Sequence, residues 1–133
     1  MELLSLIINK IEHSEKQISV KLDHKDIISL RKTITFMKNN LSCYPSGEEL
    51  AKIAGMSASR YQLAFRKQYS TTPYEYLKEM RLNHALLLLK NSDYCISHIA
   101  AIVGYHNSGH FAKLFKTAYG MTPKAYRQLY GIK

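Results

Sequence analysis

The chain has 133 residues, enough for one ordinary domain or two very small ones. Hydrophobic residues make up 46% of it, which argues against disorder, and 19 Lys and Arg against 10 acids leave a net charge of +9, which favours a polyanionic partner: nucleic acid first, an anionic membrane second. Two cysteines, Cys43 and Cys95, are too few for a disulfide framework, no secretory signal is present, and the longest apolar run, Ala85–Leu89, is far too short to span a bilayer; the expected protein is reduced, soluble and cytoplasmic, with no membrane partner.

Residues 1–22 hold an apolar helical stripe (Leu3, Leu4, Ile7, Ile8, Ile11) and then the alternating run QISVKL. The stripe finds little to pack against in the rest of the chain. Asp23 or Asp26 caps a helix reaching about Asn40, with Ile27, Leu30, Ile34, Phe36 and Met37 on its buried side. SCYPSG makes a turn. A short helix over Glu48–Ala54 closes at Gly55, and Ser57 or Ser59 caps the next, which carries Tyr61, Ala64 and Phe65 to about Tyr69. Thr72-Pro73 opens a long helix to about Lys90, since Pro is comfortable at the first helical position. Its Leu86–Leu89 cluster is expected to be core. A short helix over Ile96–Val103, Gly104, a cap at Asn107, a helix to Tyr119, Thr122-Pro123 and a last helix to about Tyr130 complete the chain. No strand set is predicted. The expected class is all-α, with about seven helices after the N-terminal segment.

The chain repeats itself. Ala51, Ile53 and Gly55 recur 49 residues on as Ala100, Ile102 and Gly104. Tyr61, Phe65, Tyr69, Thr72, Pro73 and Tyr76 recur 50 residues on as Phe111, Phe115, Tyr119, Thr122, Pro123 and Tyr126, so one residue is inserted between Gly104 and Phe111. A small residue, a Gly four positions later and an apolar residue six further on form the helix-turn-helix pattern. The Ala allows close helix approach, the Gly takes a positive φ, and the apolar residue locks the second helix onto the first, leaving its outer face free to enter a major groove. One such copy alone would fit any helical bundle. Two in one basic chain, both ending in Thr-Pro-x-x-Tyr, are far more specific. Pro73 to Lys90 is 18 residues, roughly 27 Å of helix, against ~34 Å between successive major-groove faces, a spacer able to hold two recognition helices on one side of the duplex. From Tyr94 to Lys133 there is no Asp or Glu, so the C-terminal part carries the positive field undiluted.

From about residue 40 to 128 the chain resembles the DNA-binding domain of the AraC/XylS family of bacterial transcription regulators. The carrying stretches are EELAKIAGMSASRYQLAFRKQYSTTPYEYLKEMRLNHALLLLKNS and ISHIAAIVGYHNSGHFAKLFKTAYGMTPKAYR. The resemblance implies homeodomain-like three-helical units, the first helix-turn-helix over about 47–70, the linker helix over 73–90 and the second over about 96–119, all within a DNA-binding domain spanning 23–133. It makes residues 1–22 the tail of an effector or dimerisation domain absent from this chain; a small free-standing regulator is the other possibility. Carried over by position, Ser59, Gln62 and Leu63 read bases in the first half, and Ser108, Gly109, His110 and Lys113 in the second. The family often has Arg where Leu63 stands, so bidentate guanine readout is lost there, and Gln62, His110 and Lys113 are expected to dominate. Arg60, Arg66, Lys67, Tyr76, Arg81, Asn107, Lys116, Tyr126 and Arg127 are the candidate phosphate contacts. For each Lys, solvated surface charge is an equal reading, and for Tyr76 and Tyr126 so is core packing. The implied function is a sequence-specific regulator of transcription, an activator, with double-stranded DNA and RNA polymerase as partners and a small-molecule effector acting through the absent domain.

Other chemistries are weaker. His106 and His110 stand four apart and Cys95 with His98 makes C-x-x-H, but HNSGH lacks the catalytic Glu of a zinc protease helix. No nucleophile, paired carboxylate or Gly-rich phosphate loop stands out, so neither catalysis nor a cofactor is expected. The competing class is an all-α interaction module using its basic face for an acidic protein or RNA.

Overall fold

The computed structural model describes residues 20–43 and 45–132, so the stripe and alternating run expected before Val20 lie outside the described residues. Seven helices and no strand make up the described residues: α1 (His24–Asn39), α2 (Gly47–Ala54), α3 (Ala58–Tyr69), α4 (Pro73–Asn91), α5 (Ile96–Ile102), α6 (Ser108–Tyr119) and α7 (Pro123–Tyr130). The all-α class is what the periodicity predicts. The chain divides into two compact units, one of the described residues up to Thr33 with Gly47–Pro73, the other of Ile34–Ser46 with the chain from Tyr74 onward.

In the first unit, α1 starts on a reciprocal cap. The Asp26 amide donates to Asp23 Oδ1 at 2.8 Å and the Asp23 amide to Asp26 Oδ2 at 3.2 Å, satisfying two helix-start donors at once. The amide of Asp26 holds the Asp23 carboxyl below the ordinary carboxylate range. Leu30 and Thr33 are buried on α1, with Leu50, Ala51 and Ala54 of α2 and Tyr61, Ala64 and Phe65 of α3. Thr33 is the polar member. Its hydroxyl donates to the Leu30 carbonyl at 2.7 Å and accepts from the Tyr61 hydroxyl at 2.9 Å, so no polar atom of that trio is stranded. Burial pushes the Tyr61 phenol up to about 12.

The second unit has one continuous core: Leu82, Ala85 and Leu89 of α4, Ile99 and Ala100 of α5, Val103 and Tyr105 of the turn, and Phe111 and Phe115 of α6. The expected Leu86–Leu89 core is only partly so. Leu89 is fully buried, Leu86 and Leu88 are half-buried, and Leu87 is 57% exposed. Four consecutive leucines sweep most of a helical turn, and neighbours cover only one arc of it. Tyr74, in the first turn of α4, is 71% exposed.

Candidate nucleic-acid interface

The two copies fold alike. In each, the amide after the glycine closes on the carbonyl of the repeated alanine: Met56 to Ala51 at 2.9 Å and Tyr105 to Ala100 at 2.8 Å. Gly55 and Gly104 take φ of +69° and +101° in that turn, a region that side-chain-bearing residues resist. The following helix is capped by Ser57 in one copy, whose Oγ accepts from the Arg60 amide at 3.2 Å, and by Asn107 in the other, whose Oδ1 accepts from the His110 amide at 2.9 Å. With Tyr105 in register with Met56 and Asn107 with Ser57, the inserted residue is His106. Each helix then runs 12 residues and ends in a left-handed cap, Ser70 in α3 and Gly120 in α6.

Each helix buries one aromatic stripe. Tyr61 and Phe65 on α3, and Phe111 and Phe115 on α6, are fully buried. Their rings stand 5.8 and 5.9 Å apart, and Phe65–Tyr69 and Phe115–Tyr119 repeat at 4.8 and 4.7 Å. The stripe decides what faces outward. On α3, Ser59, Gln62, Arg66 and Lys67 are exposed and Leu63 is half-buried; on α6, Ser108, Gly109, His110, Lys113 and Lys116 are all exposed. Because Asn107 aligns with Ser57, Ser59 is matched by Gly109 and half-buried Leu63 by exposed Lys113. The α6 face is also free of carboxylates on its own segment, since none occurs from Tyr94 on.

The expected phosphate contacts separate into two groups. Arg66, Lys67 and Lys116 are exposed on the two helices. Arg60 is exposed, but its Nη2 donates to Asp26 Oδ2 at 3.0 Å. The Lys67 ammonium donates to the Val20 carbonyl. Asn107 is exposed and spends its side-chain oxygen on the α6 cap. Tyr76 and Tyr126 are half-buried, and the Tyr126 ring stacks 5.9 Å from Phe115 and 4.8 Å from Tyr130.

Arg81 is placed differently from the exposed cations. It is only 4% exposed, its Nε donates to the Leu41 carbonyl at 2.7 Å, its Nη2 to the Cys43 carbonyl, and its guanidinium lies 5.7 Å from the centre of the Tyr105 ring. A guanidinium so engaged holds the turn that follows α1. The signal was present: Leu77, Arg81 and Ala85 are spaced four apart on the buried stripe of α4. Arg127 is similarly occupied. Half-buried, it donates to the carbonyls of Leu89 at 3.3 Å, Ser92 at 3.2 Å and Tyr94, capping the C-terminus of α4 with a cation.

Among the described residues no group of three or more His, Cys, Asp or Glu is arranged to hold a metal ion, and no helix is long and apolar enough to cross a membrane.

A family model described as a helix-turn-helix domain matches residues 50–129 of the chain. The HTH-type transcriptional activator RhaR of Yersinia pseudotuberculosis is 44% identical over 64 residues, 48% of this chain and 22% of its own length. The DNA-binding domain of AdpA, a global transcriptional factor, solved in complex with a target DNA, is 28% identical with a TM-score of 0.72, over 76% of this chain and 91% of its own. A transcriptional regulator of the AraC type from Chromobacterium violaceum, 24% identical, shares the fold with a TM-score of 0.72 over 80% of this chain and 95% of its own. The chain spans about a quarter of the length of the curated relatives it matches, between 22% and 27%.

Proposed function

The chain belongs to the AraC family of DNA-binding helix-turn-helix transcription regulators, which are not enzymes, and from that premise we propose that it reads two successive major grooves with α3 and α6. The observation that carries the reading is the doubling of one scaffold under two different outer faces. The capped, aromatic-backed helix occurs twice, while Ser59, Gln62 and Leu63 give way to Ser108, Gly109, His110 and Lys113. Helix α4, at 19 residues, is about 28 Å long, commensurate with the ~34 Å between groove faces one turn apart. Gln62 supplies amide readout in the first half-site, Leu63 a contact to a thymine methyl, and His110 and Lys113 readout of acceptors in the second. Arg66, Lys67 and Lys116 contact phosphates, as do Arg60, Tyr76 and Tyr126 where the groove wall reaches them, and the amide end of α6 behind Asn107 offers an anion-favouring helix start.

The name of the Yersinia relative supports an activator. RNA polymerase is the proposed protein partner, and a small-molecule effector would act through a domain outside this chain. Such a regulator works in the cytoplasm. The test is footprinting on duplexes selected from random DNA. Protection over about two helical turns, with affinity that weakens as salt rises, is the expected result. A footprint of one turn overturns the two-groove reading, and salt-independent binding overturns the interface.

A further inference from the structure

The inference concerns the first half-site and rests on the reading of α3 as a recognition helix. Arg60 and Lys67 are seven residues, or about two turns, apart, and so share one flank of α3. Both are already engaged, Arg60 by the first turn of α1 and Lys67 by the segment before it. Arg60 Nη2 donates to Asp26 Oδ2 at 3.0 Å, and the Lys67 ammonium donates to the Val20 carbonyl. A carboxylate offers a guanidinium the same paired oxygens that a phosphate does. Asp26 is not a loose chain end, because its carboxylate also accepts the Asp23 amide at 3.2 Å in the α1 cap. The segment that carries α6 supplies no such carboxylate. The α6 residue in register with Arg60 is His110, and its segment from Tyr94 onward contains no acid.

We infer that Asp26 acts as an internal phosphate mimic that withholds Arg60 from the DNA backbone, so that the start of α1 sets the phosphate-driven part of affinity at the first half-site. The Arg60 and Asp26 side chains are 43% and 20% exposed, and a pair so placed is weak. It attenuates the Arg60 contact and does not abolish it. Lys67, held by a backbone carbonyl of the segment before α1, is restrained alongside. The first half-site is therefore adjustable through α1, whereas the second is not adjustable in this way.

The test is a double-mutant cycle of Asp26→Asn and Arg60→Ala, read as affinity for a selected duplex across a salt series. Asn keeps a side-chain oxygen for the Asp23 amide, and circular dichroism checks that the helices persist. Asp26→Asn should tighten binding about threefold and steepen the slope of log K against log salt by part of the ~0.9 that one full phosphate contact is worth. Arg60→Ala alone should change affinity less than about twofold, and in the Asp26→Asn background it should remove the whole gain in affinity and slope. An equal gain from Asp26→Asn with or without Arg60 overturns the inference, since it reports only the removal of a negative charge. A loss above about fivefold from Arg60→Ala alone also overturns it, because Arg60 would then already contact phosphate in full. If the unaltered chain selects no duplex, the recognition-helix reading fails and takes the inference with it.

Discussion

Gly55 and Gly104 hold the same place in the two copies, but their surroundings differ. A Cβ on Gly55 would meet nothing within 4 Å, whereas one on Gly104 would stand 2.7 Å from the Leu41 carbonyl oxygen and 3.1 Å from Arg81 Nε. Both substitutions incur the left-handed backbone cost; only the second also drives a methyl into backbone. Gly55→Ala should therefore destabilise by about 1–2 kcal/mol, and Gly104→Ala by about 3 kcal/mol or more, measured by urea unfolding. Arg81 belongs to the same crowded corner. Arg81→Ala would strand the Leu41 and Cys43 carbonyls and leave a cavity, for a loss of about 3 kcal/mol. The salt slope of DNA binding should stay unchanged in the fraction that folds. A phosphate ligand would behave in the opposite way, with stability kept and the slope reduced by about 0.9.

At the scale of elements, α3 is tied to α1 by a buried hydroxyl relay running from Tyr61 through Thr33 to the Leu30 carbonyl. This makes the packing of α3 sensitive to alkaline pH. The folded state binds the Tyr61 proton more tightly than the unfolded chain does, with its phenol pushed from 10.0 up to about 12. The corresponding stability is fully present below pH 10 and is lost as pH climbs to about 12. Tyr61→Phe should lower stability at pH 7 by about 1 kcal/mol through the lost hydrogen bond. It should also remove part of the alkaline loss, seen in melting temperatures from pH 9 to 12; an unchanged alkaline profile would show that Tyr61 does not titrate against folding. In α7 the balance is different. Arg127 does not sit on an open face: it closes the exposed carbonyl end of α4, so its charge is already directed at a helix terminus.

For the molecule as a whole, two units with one architecture and unlike outer faces would make recognition divisible under the proposed reading. Lys113→Ala should relax sequence preference only at the bases of the second half-site, costing about 1–3 kcal/mol of discrimination there. Gln62→Ala should do the same at the first half-site, with a smaller effect because half-buried Leu63 beside it lacks a polar head. Selection from random duplexes with each variant measures both, and a change spread evenly over the two half-sites would contradict the division. The second half should also carry more of the salt dependence. Its segment adds Lys113, Lys116 and Lys124 with no carboxylate, while Glu48, Glu49 and Asp26 dilute the first.

The helices, the doubled scaffold and the family were all legible in the sequence, because each rests on local spacing. Apolar residues three and four apart make a helix face, Pro opens α4 and α7, and glycine marks each turn. The residues repeated between the copies are those that local geometry demands. What the sequence could not decide was which charges are free. Arg60, Arg127 and Lys116 look equivalent on a line of text, and only the spacing of Arg81 with Leu77 and Ala85 sets it apart. Only the fold brings Asp26 to Arg60, the Leu41 and Cys43 carbonyls to Arg81, and the end of α4 to Arg127, while leaving Lys116 exposed. The partners lie 33 to 40 residues away along the chain, beyond the reach of any periodicity. Burial and hydrogen bonding across such distances are properties of the tertiary structure, and they determine which cations remain available to DNA.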